Sequence, residues 1–287
     1  MAVYKRGYQR YTGPTTAHRT RVLAFPRYAW KRLMEQRLVV IAMLLSLIYP
    51  LLSAAFVYLS NRADLLQGLD KGFVRFLEVK GAFFLVFMNA QAATAVILAA
   101  LAGPGLVAPD LANNSLPLYL SRPLSRFDYV LGRLLVLVGL LSPVTWIPGL
   151  LVFAMQSGMA GWSWFTANWW LGTGLLVGFA AWIVLVSLVA LAASAYIRWR
   201  IVAGALVLAF FFVLAGAAQI VRQILRTDWS LLMDPGSSAY RLWSSLLGVG
   251  LPEEGPGVWA SGAALVAMAL LLAWVLERKL RPVEVVS

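Results

Sequence analysis

The run from Trp169 to Ala195, WWLGTGLLVGFAAWIVLVSLVALAASA, contains no charged side chain. At 1.5 Å per residue, a helix of this length reaches roughly 40 Å, whereas the hydrocarbon core of a bilayer is about 30 Å thick. An uninterrupted apolar stretch of this length is typical of a transmembrane helix. The run therefore predicts one membrane span.

Five further runs have the same character, and with the first they predict an all-α polytopic membrane protein with six transmembrane helices over 38–59, 83–102, 129–155, 169–195, 201–220 and 258–276. The composition agrees, because 61% of the 287 residues are hydrophobic, against roughly 45–50% in soluble domains. Pro143 and Pro148 remove backbone donors and are predicted to kink the third span. There is no cysteine, which excludes disulfides, thiolate metal sites and a Cys nucleophile.

The basic residues lie mostly between these runs and are distributed unequally. Of the 24 Lys and Arg, 17 fall in the segments on the side of the N-terminus and seven on the other side. The positive-inside rule therefore predicts that both termini are cytoplasmic. A net charge of +12 on a soluble protein would suggest nucleic acid, but here the charges flank apolar spans, so no nucleic-acid partner is predicted.

The segments outside the six-helix domain (38–276) are a basic N-terminal segment, 1–37, and a cytoplasmic tail, 277–287. In the first, Pro26 is a favourable first residue of a helix, and the following residues form an amphipathic pattern with Trp30, Leu33 and Met34 on one face and Lys31 on another. This pattern predicts a helix on the cytoplasmic membrane surface. A solvated juxtamembrane turn remains the alternative, as does a cleaved signal peptide in place of the first span.

Motifs for independent catalysis are missing from the sequence. No Gly-x-x-x-x-Gly-Lys-Ser/Thr motif occurs, and His18 is the only histidine, so we predict no ATPase, no metal site and no enzymatic activity on this chain. The six predicted spans contain no charge in their cores, which argues against a proton- or sodium-coupled transporter. Asn89 and Gln91 point to different faces of the second span, where they bond to neighbouring helices or line a substrate path.

The loop between the second and third spans, 103–128, is the most informative segment. Asp110 is predicted to cap a short helix, Pro123 to break it, and Ser125 to cap the helix that continues into the third span. The segment reads Gly103-Pro104-Gly105, then Asp110, then Asn113-Asn114-Ser115-Leu116, then Ser121-Arg122-Pro123-Leu124-Ser125-Arg126, then Tyr129-Val130-Leu131-Gly132-Arg133. A short helix held at the membrane surface is a suitable contact for a soluble partner.

This pattern resembles the type 2 ATP-binding-cassette (ABC) exporter permeases, which are six-span subunits without their own ATPase. The resemblance covers about 30 residues by motif and nearly the whole chain by topology. This chain has Asn114-Ser115-Leu116 where the family often has Gly-Thr-Leu, and Arg133 where it often has Lys.

The resemblance implies a loop that docks on the ATPase, with the membrane-surface helix touching the same partner. The residues it assigns to ATPase coupling are Asp110, Asn114, Arg122, Pro123, Ser125, Arg126 and Glu35. For Arg122 and Arg126, ordinary positive-inside charge or contact with lipid headgroups is the alternative.

The segment between the fifth and sixth spans, 221–257, is predicted to contain a second short helix. Ser237-Ser238 are expected to cap it, Tyr240, Trp243, Leu246 and Leu247 to form an apolar stripe, and Gly248 to end it. By resemblance, Tyr240, Trp243 and Leu246 would form an outer gate built from re-entrant helices. Simple packing at the membrane interface is the alternative.

The sequence thus predicts the permease subunit of an ABC exporter in a bacterial or archaeal inner membrane. It would bind membrane lipids, pair with a second permease subunit, identical or different, and recruit two copies of an ABC ATPase that bind ATP and Mg. Gly172, Gly174 and Gly178 allow close helix approach. The alternatives are an ABC-like complex that uses ATP for assembly, maturation or signalling, and a membrane anchor or intramembrane enzyme.

Overall fold

A computed structural model of the protein describes residues 18–62, 78–113, 126–251 and 255–280. In these ranges 88% of the residues are helical and none is in a strand. Six helices, some of them interrupted, are long and apolar enough to cross a membrane: Arg37–Ser60, Gly81–Asp110, Phe127–Ala160, Trp162–Tyr196, Arg200–Leu225 and Val258–Lys279. We number them spans 1 to 6. The prediction of an all-helical, multi-pass membrane protein is confirmed.

The spans are built from shorter helical pieces, separated by turns or 3-10 segments. In chain order the α-helices are α1 His18–Met34, α2 Arg37–Ser46, α3 Ile48–Ser60, α4 Gly81–Ala102, α5 Pro104–Ala112, α6 Arg126–Leu141, α7 Trp146–Ala160, α8 Trp162–Tyr196, α9 Arg200–Leu225, α10 Pro235–Leu246 and α11 Val258–Lys279. Spans 1, 2 and 3 each contain two helices, α8, α9 and α11 are spans 4, 5 and 6, and α1 and α10 lie outside the spans.

The two ends of the bundle are marked by contacts between spans. At the end that carries α1, the Arg200 guanidinium donates to the Gln36 side chain, and the Tyr196 hydroxyl donates to the Val275 carbonyl at 3.4 Å. At the other end, the Asn61 amide donates to the Gln156 side chain at 2.7 Å. We call these the proximal and the distal end.

Span 4 lies at the centre of the bundle. Of its most apolar stretch 72% is buried, against 61% for span 2, 56% for span 3, 22% for spans 1 and 5 and 11% for span 6. Close packing depends on its glycines: a Cβ on Gly174 would lie 2.9 Å from the Leu246 carbonyl oxygen, and one on Gly178 would lie 2.6 Å from Met88 Cε. The predicted role of these glycines in close helix approach is confirmed within the chain.

Span 3 is broken where its first proline lies, as predicted. The helix changes to a 3-10 turn over Ser142–Val144, and Thr145 leaves helical geometry with φ −113° and ψ −93°. The Ser142 hydroxyl donates to the Val138 carbonyl at 2.6 Å and the Thr145 hydroxyl to the Leu141 carbonyl at 2.8 Å. These hydroxyl groups donate hydrogen bonds to backbone carbonyls at the break. A helix can be interrupted inside a membrane span when its backbone groups are satisfied in this way.

Two predicted boundaries were wrong. The first helix begins at His18 and not at Pro26, so Pro26 lies inside α1. The third and fourth spans, predicted to end at 155 and to begin at 169, are separated only by Gly161, whose φ of +91° only glycine adopts readily. Helix α8 then starts at Trp162 and runs for 35 residues, roughly 52 Å at 1.5 Å per residue.

Candidate functional site

Span 2 continues as a helix past Gly103, where the sequence predicted the start of a loop. Gly103 keeps right-handed helical angles (φ −57°, ψ −45°), and α5 starts directly at Pro104. The buried Ser194 hydroxyl, from span 4, accepts from the backbone N–H groups of Val107 and Ala108 at 3.1 and 2.9 Å and donates to the Pro104 carbonyl at 3.0 Å. This hydroxyl ties the first turn of α5 to the core.

The predicted capping role of Asp110 is therefore wrong, because Asp110 lies inside α5 and its carboxylate is engaged elsewhere. It forms an ion pair with Arg133 of α6, and it accepts a hydrogen bond of 2.7 Å from the Tyr129 hydroxyl. The side chains of Arg133 and Asp110 are only 9% and 14% exposed. The pair fastens the end of span 2 to the start of span 3, on either side of the connecting loop.

Helix α1 lies against this junction through its apolar face. Leu33 is buried, Trp30 and Met34 pack against the core, and a Cβ on Gly139 of α6 would approach Trp30 Nε1 to 3.3 Å. Lys31 and Glu35 are exposed. The amphipathic helix thus presents its apolar stripe to span 3 and its charged face outward.

A cavity of about 330 Å³ lies beside this contact, where α1, α5 and α6 meet. Five of its lining residues have polar side chains: Tyr28, Arg32, Gln36, Asp110 and Arg133. The ion pair is therefore at the wall of an open cleft and not deep within the core. We call the ion pair, α5, α1 and this cleft the proximal junction.

Four of the other residues predicted for ATPase coupling lie outside the described residues: Asn114, Arg122, Pro123 and Ser125. Glu35 is exposed directly after α1. Arg126 is the first residue of α6. Of the predicted set, the structure brings Asp110 and the α1 residues to one place.

At the distal end, α10 is capped by a residue that the sequence reading missed. The Asp234 carboxylate accepts from the backbone N–H groups of Gly236 and Ser237 at 2.9 and 3.1 Å, and Pro235 occupies the first helical position. Ser237 and Ser238 are inside the helix, so their predicted capping role is wrong. The local signal was present, since Asp followed by Pro is a standard helix start.

The residues of the predicted apolar stripe on α10 are partly in the core and partly at the surface. Trp243 is 2% exposed, and its indole N–H donates to the Gly178 carbonyl at 3.2 Å. Leu247 is also buried, Leu246 is half-buried and Tyr240 is exposed. Trp243 therefore lies in the core, because glycine at position 178 lets its ring enter there.

Helix α10 packs into the bundle against spans 2, 4, 5 and 6. A cavity of about 360 Å³ beside it is lined by Asp234 and Trp243 together with Asn89 and Trp182. Asn89 is eight residues into span 2, or roughly 12 Å from its distal start. The cavity therefore reaches inward from the distal end, between spans 2 and 5.

The amides of span 2 point to different faces, as predicted. Gln91 is fully buried and donates to the Ser46 carbonyl of span 1 at 3.2 Å, whereas Asn89 is exposed and bonds only within its own helix, to the Leu85 carbonyl at 2.8 Å. Among the described residues, no group of three or more His, Asp or Glu side chains is placed to hold a metal ion.

No protein-family model matches this sequence, and no curated protein matches it significantly.

Proposed function

We propose that this chain is the membrane subunit of an ABC exporter, driven by a separate ATPase that binds the proximal end. The observation that supports it best is the proximal junction, where the Asp110–Arg133 ion pair closes the two ends of the span 2–3 connection. A connection fastened at its base moves with the spans, which is what a docking element must do to transmit force. The sequence pattern of this segment resembles the corresponding loop in type 2 ABC permeases.

The position of α1 supports the same proposal. Its apolar face contacts span 3, so the exposed Lys31 and Arg32, with Glu35 directly after the helix, are available to a partner or to lipid headgroups. We assign Glu35, Arg122 and Arg126 to polar contacts with the ATPase. In this arrangement α1 lies beside both ends of the span 2–3 connection, at Asp110 and Arg133.

The excess of basic residues at the proximal end favours placing this end in the cytoplasm of a bacterial or archaeal cell. The ATPase, with its ATP and Mg, would then meet the proximal junction from the cytoplasm. Two such chains, identical or not, would form the translocation path together, each recruiting one ATPase. The weakly buried spans 1, 5 and 6 offer apolar surface for that pairing.

Helix α10 would control the opposite end of the path. It is amphipathic, inserts among spans 2, 4, 5 and 6, and borders the distal cavity. Trp243 anchors it to span 4, while Tyr240 remains exposed. We therefore assign gating to the exposed part of α10 and anchoring to its buried part.

The proposal is tested by purifying the tagged chain from its native host in mild detergent and identifying proteins that co-purify. A co-purifying ABC ATPase with measurable ATP hydrolysis is expected. The double variant Arg122→Glu with Arg126→Glu should lose the ATPase while inserting normally. The matched control is Arg278→Glu with Lys279→Glu, which makes the same charge change at the end of span 6 and should retain it.

Three results would count against the proposal. A chain that purifies alone under several mild conditions has no ATPase partner, and only the six-span architecture then stands. Equal retention of the ATPase by both double variants would place its binding site outside the span 2–3 connection. Hydrolysis that no candidate substrate stimulates would favour an ATP-driven assembly or signalling complex instead.

A further inference from the structure

A groove runs along the surface of the bundle at the proximal end, between the start of span 1, the end of span 2 and the start of span 5. It encloses about 630 Å³. Its walls are apolar and partly exposed, with Leu38 70%, Ile97 51% and Ile201 87% exposed. These side chains belong to helices that cross the membrane, so the groove faces lipid chains. We call it the 1–2–5 groove.

Small residues form the floor of the groove. A Cβ on Gly204 would lie 2.6 Å from the Ala100 carbonyl oxygen, so spans 2 and 5 touch backbone to backbone. Ala205 lies next to this contact and is exposed in the groove. A larger side chain at Ala205 would therefore fill the space without disturbing the contact beneath it.

The mouth of the groove is positively charged. Arg37 and Arg200 both line it, and the Arg200 guanidinium donates to the Gln36 amide oxygen and, at 3.3 Å, to the Leu101 carbonyl. These acceptors are neutral, so they orient the guanidinium without cancelling its charge. Neither arginine takes part in the salt bridges found among the described residues.

The surroundings strengthen this positive field. Helices α2 and α9 begin at Arg37 and Arg200, and neither has a side-chain cap at its N-terminus, where the helix dipole favours an anion. Arg198 adds a further exposed positive charge near the mouth, while Glu35 is an exposed acid close to it in sequence. An anion at the mouth would lie between two cationic side chains and two helix N-termini.

We propose that the 1–2–5 groove binds one anionic phospholipid, with its headgroup phosphate between Arg37 and Arg200 and an acyl chain along Leu38, Ile97 and Ile201. Charge complementarity at the mouth and apolar walls below it match the two parts of such a lipid. Basic pockets between membrane helices recognise anionic headgroups in this way. The proposal does not depend on an ATPase partner, since all of its elements belong to this chain.

Native mass spectrometry of the full chain in detergent tests the proposal, with phosphatidylglycerol as the anionic probe, phosphatidylcholine as the neutral probe and inorganic phosphate as a competitor. Phosphatidylglycerol should bind the unmodified chain more tightly than phosphatidylcholine does. Arg37→Gln should weaken phosphatidylglycerol binding about fivefold, the equivalent of ~1 kcal/mol per basic residue near an anionic surface. Arg37 is chosen because the Arg200 guanidinium also holds Gln36 and Leu101, whereas Arg37 forms no side-chain hydrogen bond or salt bridge with the described residues.

Filling the groove with Ala205→Trp should displace phosphatidylglycerol while leaving the charge unchanged. The control for Arg37→Gln is Lys279→Gln, which removes a basic residue at the same end. The control for Ala205→Trp is Ala263→Trp, which places the same ring on an exposed position of span 6. Both controls should bind phosphatidylglycerol as the unmodified chain does. The proposal is overturned if the two lipids bind equally, if either groove variant behaves like its control, or if inorganic phosphate displaces the lipid.

Discussion

Replacing Asp110 with alanine is expected to destabilise the protein strongly, because it removes the carboxylate that faces Arg133 and Tyr129. Breaking a buried ion pair costs about 3–5 kcal/mol. Since the two side chains are 14% and 9% exposed, we expect the lower bound, about 3 kcal/mol. Tyr129→Phe removes the 2.7 Å hydrogen bond to the same carboxylate and keeps the ring, and should cost about 1.5 kcal/mol, the lower value for a bond to a charged group.

Unfolding in detergent, followed by intrinsic tryptophan fluorescence, measures these changes in the 12-tryptophan chain. The control is Glu78→Gln, which breaks an ion pair with Lys80 (2.7 Å) whose side chains are 52% and 67% exposed. Exposed pairs contribute about 0–1 kcal/mol. Combining Asp110→Ala with Arg133→Met should cost less than the sum of the single changes, by roughly 1–3 kcal/mol. Equal effects of Asp110→Ala and Glu78→Gln, or strict additivity, would refute this reasoning.

Three other predictions rest on single positions. Gly178→Ala should lower the free energy of unfolding by about 1–3 kcal/mol through overpacking, because its Cβ would lie 2.6 Å from Met88 Cε. In the same unfolding measurement the control Gly216→Ala, whose Cβ would have nothing within 4 Å, should be neutral or stabilising. Gly255→Ala should cost roughly 1–3 kcal/mol in unfolding free energy, since Gly255 has φ +112°, and a loss below the error of measurement would exclude backbone strain there. In the cysteine-free chain, an impermeant maleimide should label Ser163→Cys in intact cells but Arg198→Cys only after permeabilisation; the reverse pattern would invert the proposed topology.

The six spans could be predicted from the sequence because uncharged apolar length is a local property. The break in span 3 was also local, since Pro143 removes a backbone donor wherever it lies. The helix that begins at Pro104 was missed because its stability depends on a distant contact and not on a local property. Proline is tolerated in the first turn of a helix, and the hydroxyl that secures the first turn of α5 comes from Ser194, 90 residues away.

The same distinction explains the candidate sites. Only part of the Asp110–Arg133–Tyr129 cluster could be predicted from the sequence. Tyr129 and Arg133 are four residues apart and so share a helix face. Their common partner, Asp110, lies on the other side of the connecting loop, and the sequence does not show that it is near. At the distal end, an amphipathic helix was correctly predicted, whereas the burial of Trp243 depends on the missing side chain at Gly178. The ion pair of Asp110 and the burial of Trp243 both depend on contacts between distant segments. The periodicity of one segment cannot predict such contacts.

Helix α8 is the physical link between the two sites. Near its proximal end, Ser194 holds the first turn of α5, and near its middle, Gly178 accepts the indole N–H of Trp243 from α10. Between these residues α8 is unbroken and buried along most of its faces, and an interior packed at this density transmits displacement instead of absorbing it. Under the proposed function, a shift of α5 caused by the ATPase would therefore reach α10 through α8. Ser194→Ala, which frees α5 but leaves the span 2–3 connection intact, should then retain the ATPase and reduce transport per ATP hydrolysed.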